Sequence, residues 1–349
     1  MASPRGPESP RPPSDTLTPE SHAITASDGT ALKLTRYRGG TKGPLIVAPG
    51  YSNPAHIYAL DTPRNWVAHL VEHSYDVWLL DYRGSTGLPA RPRPFTIDDV
   101  ARRDWPAAVA HVRAVTGADT VQVQGHCIGG LSLFMALGAG LEGVRSATFS
   151  ALAGHLVLDT GNRLRCAVRV PNLLRSLGVT HLPVGYDPAS RFDRAIDAVM
   201  RILPFRHKYP SPWARRISFV YGNPFAWANL DEVALGALPG AFGDADMTAM
   251  AHIARMCRHQ EVRDAHGRDT YWHNKDAYRL PMHFVTGAEN RQCLPVGLRR
   301  TYDRLCRLHG GDLYRYDTVP GYAHLDLWIG AGSARDVYPT VLAELEKHN

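Results

Sequence analysis

A short glycine-rich turn, GHCIGG at residues 125–130, limits the possible folds of this chain more than any other feature. Residues 120–124 before it form an apolar run, and apolar residues recur at helical spacing after it, at Leu131, Phe134, Met135 and Leu137. Glycines two positions before and two positions after Cys127 permit a sharp turn that lifts the cysteine side chain out of a sheet. The segment therefore predicts a strand, a tight turn and a helix, with Cys127 at the apex.

Further apolar runs alternate with helical segments along the chain, at residues 45–47, 76–80, 147–151, 282–285 and 313–316. Runs this apolar fit strands that are buried on both faces of a parallel sheet. Asp28-Gly29 indicates a hairpin ahead of them, and the segment 96–99 resembles a capping box at the start of a helix. The alternation predicts an α/β fold with a mostly parallel sheet flanked by helices.

Between residues 154 and 278 this alternation stops. A structureless loop of that length would be implausible inside a compact protein. Aromatic and methionine residues occur throughout the stretch, so we expect a large, mostly helical cap inserted before the last core strands. Residues 1–20, rich in proline, serine and arginine, are expected to form a disordered arm. The core is then assigned to residues 21–153 and 279–349.

Composition narrows the possible function classes. The formal net charge is +6, but the arginines are scattered and no nucleic-acid-binding motif occurs, so we expect no nucleic-acid partner. Five cysteines, at positions 127, 166, 257, 293 and 306, include no CxxC pair, which argues against a disulfide framework and a metal site. We expect no cofactor. The sequence has neither a secretory signal nor an apolar run that could span a bilayer, so we expect a cytoplasmic location and no integral membrane segment.

Cys127 is the candidate nucleophile of this chain. The helix that follows the turn would point its positive end at the sulfur and favour the thiolate. The next backbone amide, on Ile128, would then be placed to bind an oxyanion. A second oxyanion donor is expected in the loop after residues 45–47, where Pro49-Gly50 leads to the amide of Tyr51. Many hydrolases have His-Gly at this point.

The candidate base is His324, which follows the last predicted core strand in the chain order nucleophile, acid, histidine. Its orienting partner should follow the preceding strand, where Asn290 takes the place usual for aspartate. An asparagine can fix the imidazole tautomer while a thiolate offsets the imidazolium charge. The neighbouring carboxylate of Glu289 could serve instead if the loop shifts by one residue, and Asp159 is a more remote alternative.

These residues resemble those of the α/β-hydrolase superfamily. The turn GHCIGG is similar to the cysteine elbows of dienelactone hydrolases and polyhydroxyalkanoate synthases, which use Cys-His-Asp for lactone opening and for thioester-driven acyl transfer. A longer resemblance, from about residue 30, is to the hydrolase-like domain found beside flavin-dependent, cholesterol-oxidase-like proteins. It rests on the segments DVWLLDYRGS, GHCIGG, RISFVYGNP, GAEN and PGYAHLD with DVYP. The resemblance implies a site of Cys127, His324 and either Asn290 or Glu289.

The predicted function is acyl transfer through a covalent acyl-enzyme, formed from an ester, thioester or lactone with an apolar acyl part. Water would release the acyl group in a hydrolase or thioesterase, and another acceptor would release it in an acyltransferase. Cap arginines could bind coenzyme A or a carrier protein's phosphopantetheine, although a solvated helix face is the favoured interpretation; they are Arg163, Arg165, Arg169, Arg215 and Arg216. The alternative function is a non-catalytic binding protein with a hydrolase fold, because Pro49 and Asn290 depart from the usual pattern.

Overall fold

A mostly parallel sheet of eight strands forms the centre of the part of the chain that the computed structural model describes, residues 17–62, 64–90, 92–202 and 211–349. The strands are β1 Glu20–Thr25, β2 Ala31–Tyr37, β3 Lys42–Ala48, β4 Tyr75–Asp81, β5 Val121–His126, β6 Val144–Ser150, β9 Met282–Gly287 and β10 Tyr314–Val319. Their spatial order is β1-β2-β4-β3-β5-β6-β9-β10. Strand β2 pairs antiparallel with both β1 and β4, and the other neighbouring strands pair parallel, which confirms the predicted fold class.

Helices cover both faces of the sheet. They are α1 Trp66–Glu72, α2 Ile97–Asp99, α3 Trp105–Thr116, α4 Ile128–Gly138, α11 Pro295–His309, α12 Asp326–Ile329, α13 Ser333–Asp336 and α14 Tyr338–Glu346. A π-helical turn, Val100–Asp104, joins α2 to α3, and the predicted capping box opens α2. Side chains of α3, α4 and α11 pack on one face, whereas those of α1 and α14 pack on the other.

The segment between β6 and β9 is largely helical in its described residues. Its elements are α5 Thr160–Ala167, α6 Val170–Ser176, β7 His181–Leu182, α7 Arg191–Ile202, α8 Pro212–Tyr221, α9 Glu232–Ala241, β8 Ala245–Asp246 and α10 Met247–His259. Short 3-10 helices occur at Ala55–Ala59, Trp227–Asn229 and Lys275–Tyr278. We refer to residues 154–278 as the cap.

Hydrogen bonds join the cap to the loop after β3. The backbone N–H of Asp246 donates to the Tyr51 hydroxyl at 2.7 Å, and the Asn53 side chain donates to the Ala241 carbonyl at 2.6 Å. The cap is thereby fixed above the carboxyl ends of the parallel strands.

The predicted disordered arm falls mainly on residues 1–16, which lie outside the described residues. Its last residue, Glu20, instead begins β1, where its backbone pairs with Arg36. In the described part of the chain, no helix has both the length and the apolar character needed to cross a membrane.

Candidate active site

Cys127 stands at the junction of β5 and α4 with φ 51° and ψ −120°, a conformation that non-glycine residues rarely adopt. Its neighbours hold it there, because its N–H donates to the Ser150 carbonyl at 2.9 Å and its carbonyl accepts from Leu131 at 2.8 Å. A Cβ atom on Gly129 would lie 2.4 Å from the Pro49 carbonyl oxygen, and one on Gly125 would lie 2.6 Å from the backbone of the first turn of α4. The glycines therefore permit the close packing that places the cysteine at the tip of the turn.

His324 and Asn290 come together beside this turn. Asn290 follows β9 and His324 follows β10, so both lie at the same edge of the sheet as Cys127. The side-chain nitrogen Nδ2 of Asn290 is 3.0 Å from His324 Nδ1, and both residues are almost fully buried. The candidate nucleophile, base and orienting residue thus form one cluster.

The other two orienting candidates lie elsewhere. Glu289 has an exposed side chain, and its backbone N–H donates to the Tyr322 carbonyl at 2.8 Å. Asp159 caps α5, where its carboxylate accepts from the Asn162 N–H at 2.7 Å. The geometry therefore favours Asn290 as the partner of His324.

A second cysteine, Cys293, joins the cluster and was not among the predicted site residues. The sulfurs of Cys127 and Cys293 and a ring nitrogen of His324 all lie within 4.8 Å of one another. Cys293 lies in the loop between β9 and α11, three residues after Asn290. This short separation from Asn290 is the sequence feature that could have identified it as a site residue. Chain spacing had argued against clustered metal ligands, but folding brings these three donors together.

The cluster changes the acidity of both thiols. The Cys293 thiol donates to Cys127 and, with hydrogen bonds from His324 and the Ile128 N–H, holds the Cys127 pKa well below its ordinary value despite burial; a positive charge on His324 would lower this pKa further. The same interaction and burial raise the pKa of Cys293. Cys127 is therefore the thiol that ionises first.

The donor set has the atoms that zinc prefers, two sulfurs and an imidazole nitrogen. A metal ion on His324 Nε2 would require a proton on Nδ1 with an acceptor beyond it. The group beyond Nδ1 is the Asn290 NH₂, which is a donor. The orientation of Asn290 therefore opposes a metal ion at this position.

Two further residues support His324. The ring of His126 packs against its ring with centroids 4.6 Å apart. Burial lowers the pKa of His126 well below its usual value, and a charge on His324 would lower it further. Asp326 accepts from the Ala323 N–H at 3.1 Å and from the Asn229 side chain at 2.8 Å, which fixes the loop that carries His324. His126 is a neutral packing surface, and Asp326 is a loop anchor.

The two predicted oxyanion donors occupy suitable elements. Ile128 is the first residue of α4, and N–H groups in the first turn of a helix have no intrahelical acceptor. Tyr51 lines the same cavity as Cys127 and Ile128. The amide of Tyr51 remains a prediction, as does that of Ile128.

An apolar cavity of about 450 Å³ extends from this cluster between the core and the cap. Its wall includes Leu152, Leu156, Leu174, Met247, Ile253 and Ala254. Four of the five cap arginines proposed to bind an anion can be placed. Arg216 pairs with Asp193 and Arg215 with Asp197, each at 2.7 Å, and Arg163 is exposed. Arg169 is also exposed, and the side chain of Arg165 lies outside the described residues.

No family model matches the chain. It is 31% identical over 138 residues to the poly(3-hydroxyalkanoate) polymerase subunit PhaC of Haloferax mediterranei, covering 38% of this chain and 27% of that protein. It is 29% identical over 366 residues to lipase member K of Homo sapiens, covering 94% of this chain and 88% of that protein. The structure of the Pyrococcus furiosus esterase Pf2001 has a TM-score of 0.55 at 11% identity, covering 99% of both chains.

These relationships have different extents. The chain spans 27% of the length of the polymerase subunit and 29% of that of lipase 1 of Drosophila melanogaster, whereas it spans most of lipase member K. The likeness to the esterase covers the sheet, its flanking helices and the segment between β6 and β9. The fold of the chain is the α/β-hydrolase fold.

Proposed function

We propose that this chain, a member of the α/β-hydrolase superfamily, is an enzyme that transfers acyl groups through a covalent thioester on Cys127. The observation that carries the proposal is the cluster of Cys127, His324 and Asn290 beside an apolar cavity. The acyl donor is an ester, a thioester or a lactone. Water or a second substrate then releases the acyl group.

The steps follow from the groups in the cluster. The Cys127 sulfur attacks the carbonyl carbon, and the backbone amides of Ile128 and Tyr51 bind the oxygen that becomes negative. Collapse of the tetrahedral intermediate expels the leaving group and leaves the acyl group on sulfur. A thioester keeps a good leaving group, so both hydrolysis and transfer to an acceptor are chemically open.

The cavity supports an apolar acyl group. Its wall consists mainly of aliphatic and methionine side chains, and its volume lies in the range of sites for small molecules. The named activities of relatives, a polymerase of hydroxyalkanoates and lipases, point to the same class of acyl compound. Among the cap arginines, Arg215 and Arg216 form ion pairs with aspartates inside the cap. An anionic group of coenzyme A or of a carrier's phosphopantetheine would therefore bind the exposed Arg163 and Arg169.

The proposal is tested by incubating the protein with a panel of acyl thioesters, aryl esters and lactones and measuring intact mass and released product. We expect an acyl adduct that Cys127→Ala abolishes and that Cys306→Ala, a change on α11 away from the cluster, leaves intact. Product without an adduct is also expected where release is fast, provided that Cys127→Ala removes it.

The second candidate function is ligand binding without chemistry. It is favoured by Asn290, which stands where hydrolases of this type have aspartate. In that case apolar acyl compounds would bind, but neither adduct nor product would form and iodoacetamide would not label Cys127 in preference to the other cysteines. The predicted cytoplasmic location and the longer resemblance, to domains beside cholesterol-oxidase-like proteins, stay predictions.

A further inference from the structure

The orientation of the Asn290 side chain is set by a backbone group. Its oxygen Oδ1 accepts from the Cys293 N–H at 3.0 Å. A backbone N–H can only donate, so the oxygen must face it and the NH₂ must point the other way. That NH₂ faces His324 Nδ1 at 3.0 Å and Thr286 Oγ1 at 3.4 Å.

This orientation selects the tautomer of His324. Because Nδ1 receives a hydrogen bond, it carries no proton, and a neutral imidazole then carries its proton on Nε2. Nε2 is the ring nitrogen left to face Cys127. A fully protonated imidazolium would direct an Nδ1–H at the NH₂ of Asn290, so this arrangement disfavours the cation.

We propose that Cys127 rests as a thiolate held by three neutral donors: the Cys293 thiol, His324 Nε2–H and the Ile128 N–H. It is not half of a thiolate–imidazolium pair. Cys293 is in this arrangement a positioning residue, which stabilises the thiolate without reacting. The consequence for substrates rests on the proposed function: the site uses acyl donors whose leaving groups depart without a proton, namely thioesters and aryl esters.

The bonds, electrons and protons of the acylation step explain why the site would use thioesters and aryl esters. The Cys127 thiolate forms a bond to the carbonyl carbon, the bond from that carbon to the leaving sulfur breaks, and the departing thiolate keeps the electron pair, so no proton moves. Thiols, with a pKa of about 8.5, and phenols, with a pKa of about 10, leave readily as anions. An alkoxide from an alkyl ester needs a proton, and neutral imidazole could supply one only by becoming an imidazolate.

Four other titratable groups near Cys127 have pKa values shifted in the direction that keeps them neutral at physiological pH. Burial raises the pKa values of the Tyr58 and Tyr82 phenols well above the ordinary value. The Cys257 thiol on α10 has a raised pKa through its contact with Cys166 and through burial, and His126 has a lowered pKa. The donors named above therefore remain the groups that stabilise the negative charge.

The first experiment measures the alkylation rate of Cys127 by iodoacetamide against pH, by peptide mass spectrometry, in the full chain. We expect the inflection in the wild type to lie below that of an ordinary thiol. Cys293→Ala should raise it by about one to two pH units, because a donor to an anion is lost, and Cys293→Ser should restore much of that shift. Cys306→Ala is the matched control and should change nothing. Equal inflections in wild type and Cys293→Ala, with both folded by circular dichroism, overturn the role of Cys293.

The second experiment changes the tautomer. Asn290→Asp places an acceptor opposite Nδ1, so ¹⁵N chemical shifts of His324 should move from the Nε2–H pattern to that of a ring protonated on both nitrogens.

The wild type should use a thioester or aryl ester at least a hundredfold better in kcat/KM than the matched ethyl ester, and Asn290→Asp should narrow this difference in kcat/KM. An Nδ1–H signal in the wild type, or comparable use of the ethyl ester, overturns the proposal. Absence of any turnover, with the expected alkylation and ¹⁵N results, would contradict only the proposed function.

Discussion

At the scale of single residues, the close contact between Gly129 and the Pro49 carbonyl decides how far α4 can approach β3. Gly129→Ala would place a Cβ atom 2.4 Å from that backbone oxygen, and backbone cannot move aside as a flexible side chain could. We expect a loss of about 1–3 kcal/mol of unfolding free energy, measured by urea denaturation.

The control for this substitution is Gly236→Ala in α9, where a new Cβ atom would meet nothing within 4 Å. Alanine favours a helix interior over glycine by about 1 kcal/mol, so this variant should be as stable as the wild type or more so. Equal stability of the Gly129→Ala variant and the wild type would show that the turn relaxes freely.

At the same scale, some residues of the candidate site could be predicted from the sequence and others could not. The proximity of Cys127 to His324 could be predicted because a nucleophile elbow and a histidine after the last strand occupy fixed places in chain order. The choice between Asn290 and Glu289 could not, because it depends on which way two adjacent loop side chains point. Cys293 had no motif of its own, and its contact with Cys127 exists only after β9 and β5 are placed in one sheet.

At the scale of elements, Asp317 on β10 joins two neighbouring strands. It lies 2.8 Å from the buried His283 ring on β9 and also accepts from Arg315. Burial alone would raise the pKa of Asp317, but the hydrogen bonds from His283 and Arg315 hold it well below its usual range. A depressed carboxylate pKa stabilises the fold at pH values above the unfolded pKa of about 3.9 and loses this contribution as the pH falls below it.

We therefore expect unfolding free energy to fall as the pH drops from about 5 to 2, and Asp317→Asn to flatten this dependence while lowering stability at pH 7. Thermal unfolding across that pH range measures both effects. The exposed Asp312, replaced by asparagine, serves as the control and should keep the wild-type slope. An unchanged slope in Asp317→Asn would mean that other carboxylates govern acid unfolding.

The elements themselves were largely predictable, with boundaries displaced by one to three residues. Strand β5 was expected at 120–124 and spans Val121–His126, because the sheet continues into the turn through Gly125. The cap was predicted as mostly helical from its length and composition. Its individual helices were not predicted, since their order depends on packing against the cavity.

At the scale of the whole molecule, the cavity lies between core and cap, and Ala254 on α10 lines it. Ala254→Phe would fill part of the space beyond the cluster. We expect kcat/KM to fall by about tenfold or more for a long acyl chain and by less than about threefold for an acetyl donor. Steady-state rates with a series of acyl lengths measure this difference.

Ala167→Phe is the matched control, because Ala167 is an exposed residue at the end of α5 and should leave the chain-length profile unchanged. If Ala254→Phe reduced the rates for all chain lengths equally, the acyl group would have to lie elsewhere than along α10.

The burial of Cys127 beneath the cap has a kinetic consequence. The cysteine is only 7% exposed, so a reagent reaches its sulfur through the cavity between the core and the cap. If motion of the cap limits this passage, the labelling rate at high concentration of an alkylating reagent should stop rising and settle at the rate of that motion. The limiting labelling rate of Cys127 by a small thiol reagent would then measure the rate of cap motion, and the measurement needs no known substrate.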